Sequence, residues 1–402
     1  MPPFNLETCA RPNILALQPY RCARDDYKDD GSNILLDANE NAYGPSIDSA
    51  DVSNAAPSSL IAGIDPLGLH RYPDPHQHEV KQLLCNLRNT HVHTPKSITP
   101  QNLFVGVGSD EAVDALLRCF CTPGKDRILT CPPTYGMYGV SAQVNDVSLV
   151  KVPLTQGPDF SLDVPAINAA LSQEADIKLA YFCTPGNPTG SPLAKEDIRE
   201  ILNHPTWNGV VVLDEAYIDF APDDASLAEL VAEYPNLVVM QTLSKAFGMA
   251  GIRLGAAFTS PPIAKLLNSM KAPYNIASPT SALAQYALGE KGLAIMRGNR
   301  AKIISQRERL IVELPKIEGV GRLRGGTTSN FLLYEMLNKE GQPDNATALA
   351  VYERLAEQKG VVVRFRGKEQ WCLGCLRVTV GTEEEVTRFL DSLRKTLVEV
   401  RG

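Results

Sequence analysis

The sequence lacks any apolar run long enough to span a bilayer, which takes about 20 consecutive residues, so we expect no transmembrane helix. It also lacks an excess of basic residues. The formal net charge of −7 argues against a nucleic-acid-binding surface, because such a surface needs a basic face. The first residues, MPPFNLETCARPN, do not follow the basic-then-apolar order of a secretory signal. We therefore expect a cytoplasmic protein that binds neither nucleic acid nor membranes.

Cysteine occurs at nine positions scattered along 402 residues, and this odd number favours reduced thiols in a reducing compartment. One spacing stands out, Cys372-Leu-Gly-Cys375, because a CxxC pair can form a redox site or half of a zinc site. The sequence contains no second CxxC pair, and strand-like residues follow this one directly. We therefore predict no metal site, and a redox role for the pair stays open.

Strand-like apolar runs alternate with helical segments through the middle of the chain. Several runs are apolar at every position, as expected for parallel strands that helices cover on both faces. The pattern predicts an α/β fold with a mostly parallel sheet, followed by a smaller α+β unit. We predict an N-terminal arm and lid segment over 1–75, a large domain over 76–290 and a small C-terminal domain over 291–402.

Polar residues stand where four predicted strands end, and open α/β sheets bind their ligands at this edge. Each of these residue types can also bind a cofactor or substrate. They are Asp214 after GVVVL, Ser244 and Lys245 after NLVVMQ, Asn187 in the rigid turn TPGNPTG, and Ser109 and Asp110 after the glycine turn GVG.

Each position also has a simpler explanation when taken alone. Asp214 could be a solvated strand end or a metal ligand, Asn187 a turn residue and Ser109 a helix N-cap. Arg253, eight residues after Lys245, could form a surface ion pair. Taken together in chain order, the positions are explained by a single ligand, a pyridine aldehyde that carries a phosphate.

With that ligand, Lys245 would form an imine with the aldehyde. Asp214 would keep the ring nitrogen protonated, so that the ring accepts electrons from the substrate's α-carbon. The other residues would hold the ring and the phosphate: Asn187 and Tyr217 at the phenolic oxygen, Tyr135 on the ring face, and Ser109, Asp110, Ser244 and Arg253 at the phosphate. The predicted cofactor is therefore pyridoxal 5'-phosphate.

The motifs GVGSDE, CPPTYGMYG, TPGNPTG, LDEAY, TLSKAFGMAGIRLG and LRVTVG resemble those of the fold-type I pyridoxal-phosphate-dependent aminotransferases. More narrowly, LDANENAYGPS, LHRYPDP and the unbroken PGKDRILTCPPTYGMY resemble the histidinol-phosphate aminotransferase family. The resemblance extends over nearly the whole chain. It implies a large domain with a seven-stranded, mostly parallel sheet and a smaller α+β domain.

The resemblance also implies roles for further residues. Tyr72 of the RYP motif would reach the cofactor phosphate across a homodimer interface. Arg377 would bind the substrate's carboxylate or phosphate, with Arg364 as its partner on the preceding strand. Asn39 and Asn41 lie in the segment that would close over the substrate.

The implied reaction exchanges an amino group between L-histidinol phosphate and 2-oxoglutarate, with glutamate as one product and ping-pong kinetics. An aromatic-amino-acid aminotransferase or an amino-acid-phosphate decarboxylase of the same fold is the nearest alternative. A non-catalytic protein of this fold would have lost Lys245, Asp214 or Arg253, and all three are present. An NAD-dependent dehydrogenase would complete GxGxxG after the strand, whereas position 111 is Glu111.

Overall fold

The computed structural model describes residue 27 and residues 32–37, 39–44, 73–157, 159–174 and 176–402. The strands of this part of the chain are β1 Ile34–Leu35, β2 Leu103–Val107, β3 Arg127–Thr130, β4 Ser148–Lys151, β5 Ile177–Cys183, β6 Val210–Asp214, β7 Leu237–Thr242, β8 Leu254–Thr259, β9 Val320–Arg324, β10 Phe331–Met336, β11 Val361–Val362, β12 Arg364–Phe365 and β13 Cys375–Thr379.

Its α-helices are α1 His78–Arg88, α2 Gly108–Phe120, α3 Met137–Val144, α4 Val164–Gln173, α5 Lys195–Leu202, α6 Pro261–Met270, α7 Ser278–Leu288, α8 Glu290–Glu313, α9 Asn345–Lys359 and α10 Glu383–Arg401. Among the helices described, none is long and apolar enough to cross a membrane.

Seven strands form the large sheet in the order β2-β8-β7-β6-β5-β3-β4. Its neighbours pair in parallel except at β8, which runs antiparallel to both β2 and β7. Strands β6 and β7 are buried at every residue. Alternate residues of β6 face different cores, with Val212 in one apolar cluster and Val211 and Leu213 in the other. This two-sided burial is what the continuous apolar runs predicted.

A smaller antiparallel sheet has the order β12-β13-β10-β9, with α9 packed beside it and α10 packed against α9. The N-terminal strand β1 pairs in parallel with β11 of the C-terminal part, Ile34 opposite Val361. The chain therefore returns at its C-terminal end to residues near its beginning. The boundaries 75 and 290 of the predicted domains stay predictions.

The run VVVRFR, residues 361–366, is divided between two strands. It forms two short strands in different sheets, because β11 pairs with β1 whereas β12 pairs with β13, Arg364 opposite Arg377. Strand β9 was not predicted, since its sequence VGRLR has two charged residues in five.

Candidate active site

A cleft lies at the carboxyl ends of β5, β6 and β7 and encloses about 640 Å³ of empty space, part of it open to solvent. Nine of the residues predicted for the cofactor line it together: Ser109, Asp110, Tyr135, Asn187, Asp214, Tyr217, Ser244, Lys245 and Arg253. Cys183 at the end of β5 also lines the cleft, although the sequence analysis did not predict it.

Lys245 lies in the turn that follows β7, directly after Ser244. Its Nζ is 5.8 Å from the ring centroid of Tyr217. Burial, together with the positive charge of Arg377, lowers the pKa of Lys245 to about 8. The amine is therefore neutral more often near neutral pH than an exposed lysine, as a nucleophile or a general base requires.

Asp214 is the last residue of β6 and is 3% exposed. Its Oδ2 accepts a hydrogen bond of 2.6 Å from the hydroxyl of Tyr138, and its Oδ1 accepts one from the backbone N–H of Ala216. Burial raises the pKa of Asp214 to about 6, and both hydrogen bonds oppose the rise because they stabilise the ionised form. The carboxyl is therefore mainly ionised at neutral pH and can accept a hydrogen bond from a protonated ring.

Tyr138 is a functional candidate that the sequence analysis missed. It lies on α3, three residues after the predicted Tyr135, and is fully buried. Its ring stacks on Tyr181 at 4.8 Å and meets Tyr135 edge-on. The available signal was the second tyrosine of CPPTYGMYG, three residues after Tyr135.

A buried polar network joins the two sheets beside Lys245. Asn187 donates from Nδ2 to the hydroxyl of Tyr217 at 3.4 Å, and Asn39 donates to the same hydroxyl at 3.0 Å. Burial raises the pKa of Tyr217 to about 12, so the phenol stays protonated at neutral pH. Asn39 also accepts a hydrogen bond from Thr379 on β13. The lid segment is thereby connected both to the cleft and to the small sheet.

The N-terminus of α2 provides the predicted phosphate position. The residue that precedes the helix, Val107, gives its first turn no side-chain hydrogen bond. A Cβ on Gly255 of β8 would lie 2.3 Å from the backbone N of Ser109, so the strand can approach the helix only as glycine. Helix N-termini of this kind bind anions through backbone N–H groups.

Asp110 and Arg253 lie beside that helix N-terminus. Asp110 accepts a hydrogen bond from the hydroxyl of Tyr135 at 3.1 Å and is 3.7 Å from Nη2 of Arg253. Arg253 has a positive φ of 53° and accepts a backbone hydrogen bond from Gly108. Ser244 shares a hydrogen bond with Thr242 at 2.9 Å. Asp110 therefore fixes the side chains predicted for the ring face and for the phosphate.

Arg377 on β13 is 4% exposed and reaches the cleft from the small sheet. Its Nη1 donates to Oδ1 of Asn187 at 2.6 Å, and its Nη2 donates to the carbonyl of Asp37 at 2.7 Å. Arg364 lies opposite Arg377 across the β12–β13 pair. The two predicted substrate residues therefore share one face of the small sheet.

Asn41 lies over the loop that carries the lysine, since its Nδ2 donates to the carbonyl of Ala246 at 2.9 Å. Tyr72 lies outside the described residues. Within the part of the chain that the structure describes, no group of three or more His, Cys, Asp and Glu residues is arranged to hold a metal ion.

Comparisons with known proteins identify the family of the chain. The sequence profile of the family described as aminotransferase class I and II matches residues 32–393. The histidinol-phosphate aminotransferase of Schizosaccharomyces pombe is 52% identical over 398 residues, which cover 98% of each chain. That of Candida maltosa is 49% identical over 403 residues, which cover 99% of each chain.

Solved structures share the fold. The histidinol-phosphate aminotransferase from Sinorhizobium meliloti, in complex with pyridoxal-5'-phosphate, matches with a TM-score of 0.80 at 23% identity, over 97% of this chain and 98% of that chain. This match confirms the predicted fold-type I architecture. The profile match, and the identities of 52% and 49% over nearly the whole chain, show that the chain belongs to the class I and II aminotransferases and, within them, to the histidinol-phosphate aminotransferases.

Proposed function

We propose that the protein reversibly transfers the amino group of L-histidinol phosphate to 2-oxoglutarate, giving imidazole-acetol phosphate and L-glutamate in L-histidine biosynthesis. This proposal is supported by two histidinol-phosphate aminotransferases that are 52% and 49% identical to this chain over nearly its whole length. The two substrates would use one site in turn, which gives ping-pong kinetics.

Pyridoxal 5'-phosphate is the cofactor of this family, and the cleft fits it. The N-terminus of α2, whose first turn has no side-chain cap, offers backbone N–H groups to a phosphate, and the buried carboxyl of Asp214 suits a protonated ring nitrogen. When bound, the cofactor supplies an aldehyde that takes up the amino group and a ring that stabilises negative charge at the substrate's α-carbon.

The chain's own residues would supply the proton transfers. The Nζ of Lys245 would take the proton from the substrate's α-carbon and give it to the carbon of the cofactor that takes up the amino group. Asp214 would hold the proton of the ring nitrogen, and Tyr217 would donate its hydroxyl proton to the phenolic oxygen. Asn187 supports both ends of the site because it contacts Tyr217 and Arg377.

Arg377 would bind the carboxylate of glutamate in one half-reaction and the phosphate of histidinol phosphate in the other. A planar guanidinium can bind both kinds of oxyanion with two hydrogen bonds, which a lysine ammonium does less well. Arg364 on the same face would assist, and Asn41 would hold the lid segment over the substrate.

We also propose a cytoplasmic homodimer in which Tyr72 of one subunit contacts the cofactor phosphate of the other. The exposure of the phosphate end supports this: Val107, an apolar residue directly before α2, is 44% exposed. The compartment is supported by the cysteines of the described residues, which include seven free thiols.

The test is a single half-reaction. The purified protein loaded with pyridoxal phosphate is mixed with L-histidinol phosphate without a keto acid, and the absorbance of the bound cofactor is followed. We expect a rapid spectral change, faster than with histidinol or phenylalanine. A change with aromatic amino acids but none with histidinol phosphate would contradict the substrate and leave the fold unchanged.

A further inference from the structure

Several arginines share one face of the small sheet, and three of them, Arg364, Arg366 and Arg377, lie on or directly after β12 and on β13. Arg364 lies opposite Arg377 across β12 and β13. Arg366 follows two residues later, and its backbone N–H continues the ladder by donating to the carbonyl of Cys375 at 2.9 Å. Residues that lie opposite one another, or two apart along a strand, point to the same face of a sheet. The sequence analysis assigned roles to Arg364 and Arg377 and none to Arg366.

Arg377 has an unused donor. Its two Nη atoms are held by Asn187 and by the carbonyl of Asp37, whereas its buried Nε has no hydrogen-bond partner. Buried polar groups in native proteins are nearly always paired, and unpaired ones are found where a ligand completes them. The unpaired Nε indicates that an acceptor from outside the chain belongs on this face.

Arg366 forms an ion pair with Glu369, and this pair, like Arg377, retains buried polar atoms without a hydrogen-bond partner. Its Nη1 donates to Oε1 of Glu369 at 2.7 Å, and the two side chains are 21% and 26% exposed. The Nε of Arg366 and the Oε2 of Glu369 are buried without a partner. Burial lowers the pKa of Arg377, and the positive charge of Arg366 lowers it further.

Another glutamate on the same sheet provides the contrast. Glu335 on β10 accepts hydrogen bonds at both oxygens, from Nε and Nη2 of Arg322 and from Nη1 of Arg324. That ion-pair cluster leaves neither carboxylate oxygen unpaired. The Arg366–Glu369 pair is unlike it, because each partner retains one unpaired buried atom.

We propose that Arg366 is a specificity-determining residue for the phosphate-bearing substrate, and that Glu369 holds it when the smaller anion is bound. This inference rests on the proposed function. A carboxylate carries one negative charge and is satisfied by Arg377. A phosphate monoester carries about −1.5 to −2 at pH 7 and a third terminal oxygen, so it draws Arg366 into a second charge-assisted contact. One site thus serves both anions without excess positive charge in the carboxylate half-reaction.

The experiment compares Arg366→Gln with a matched control, Arg322→Gln, in the holoenzyme. Arg322 is an arginine of the same sheet that is also paired with a glutamate, but it lies on β9 at the far edge. For Arg366→Gln we expect kcat/KM to fall about 10-fold for histidinol phosphate, mainly through KM, and less than about 3-fold for glutamate. The control should change neither. An unchanged ratio of the two substrates would overturn the proposal.

A binding measurement gives a second readout that does not need turnover. Inorganic phosphate is titrated into the holoenzyme by calorimetry. Arg366→Gln should weaken phosphate binding about 10-fold, and Glu369→Gln should strengthen it about 3-fold because Arg366 then has no competing carboxylate. Equal phosphate affinity in wild type and both variants would contradict the proposal.

The two readouts separate this inference from the proposed function. If the wild-type protein does not react with histidinol phosphate, the proposed substrate is wrong, while the phosphate titration still decides the role of Arg366. If the wild type reacts and Arg366→Gln keeps the wild-type substrate ratio, the role of Arg366 alone is wrong.

Discussion

The strand ends of the large sheet and the arginine face of the small sheet are built in different ways. Asp214 and Tyr217 on the large sheet have hydrogen-bond partners that the chain itself supplies. Arg377 on the small sheet donates hydrogen bonds to Asn187 and Asp37, which are 190 and 340 positions away in the chain, and its Nε has no hydrogen-bond partner. The difference indicates that the fold alone holds the residues predicted for the cofactor ring, whereas the anion end is completed by the substrate.

The largest expected effect lies at the cofactor end. Lys245→Ala removes the amine that moves the proton, so we expect kcat to fall by at least about 10³-fold with either substrate. Steady-state rates measure the loss, and circular dichroism serves as the control for folding. Retention of more than a few per cent of the activity with a native spectrum would remove Lys245 from the mechanism.

Arg377→Lys tests the anion end. The change keeps the charge but loses the planar fork, and Asn187 and Asp37 lose hydrogen bonds. We expect both half-reactions to slow by about 10- to 100-fold, measured in single turnovers with histidinol phosphate and with glutamate. This pattern differs from that of Arg366→Gln, which should lower kcat/KM about 10-fold for the phosphate substrate and less than about 3-fold for glutamate. If both half-reactions kept their rates, the assignment of Arg377 would be wrong.

Tyr138→Phe should have the smallest effect of the three and act through Asp214. The hydroxyl stabilises the ionised carboxylate, so its removal should raise the pKa of Asp214 above about 6 and reduce the ionised fraction as pH falls toward 6. We expect less than about a 10-fold loss of activity at pH 8 and a shift of the acidic limb of the pH profile to higher pH.

Carbon-13 NMR of aspartate-labelled, cofactor-free protein measures the pKa directly, with Asp214→Asn to assign the signal. Tyr181→Phe is the matched control. Tyr181 stacks on Tyr138, but its hydroxyl donates to the carbonyl of Val113. A pKa of Asp214 that is unchanged in Tyr138→Phe would show that the hydrogen bond has no influence on the carboxyl.

The cofactor end could be predicted because its residues follow parallel strands whose ends meet at one edge. Lys245, Asp214 and Asn187 each lie at the end of a strand or within about four residues of it, and topology then brings them together. The orientation of β8 is different: an apolar run is equally compatible with either direction, so its antiparallel pairing was not predictable from the pattern.

The anion end was less accessible to prediction. The split of VVVRFR into β11 and β12 follows from pairing with β1, more than 320 residues earlier. Likewise, the contact of Asn39 with Tyr217 depends on tertiary packing. No local periodicity carries such information. The strand pattern does not separate Arg366 from Arg364, because both lie on the same strand face, and only the structure shows that Arg366 pairs with Glu369.

The pairing of β1 with β11 has a consequence for synthesis of the protein on the ribosome. Residues 34 and 39 emerge more than 320 residues before their partners Val361 and Thr379. The last strand of the large sheet in chain order is β8, so all seven strands have been synthesised once residue 259 is made. A nascent chain can thus assemble the lysine-bearing sheet early, while the lid contacts and Arg377 arrive only near termination. Chains truncated before residue 364 would contain the cofactor end without Arg364, Arg366 and Arg377.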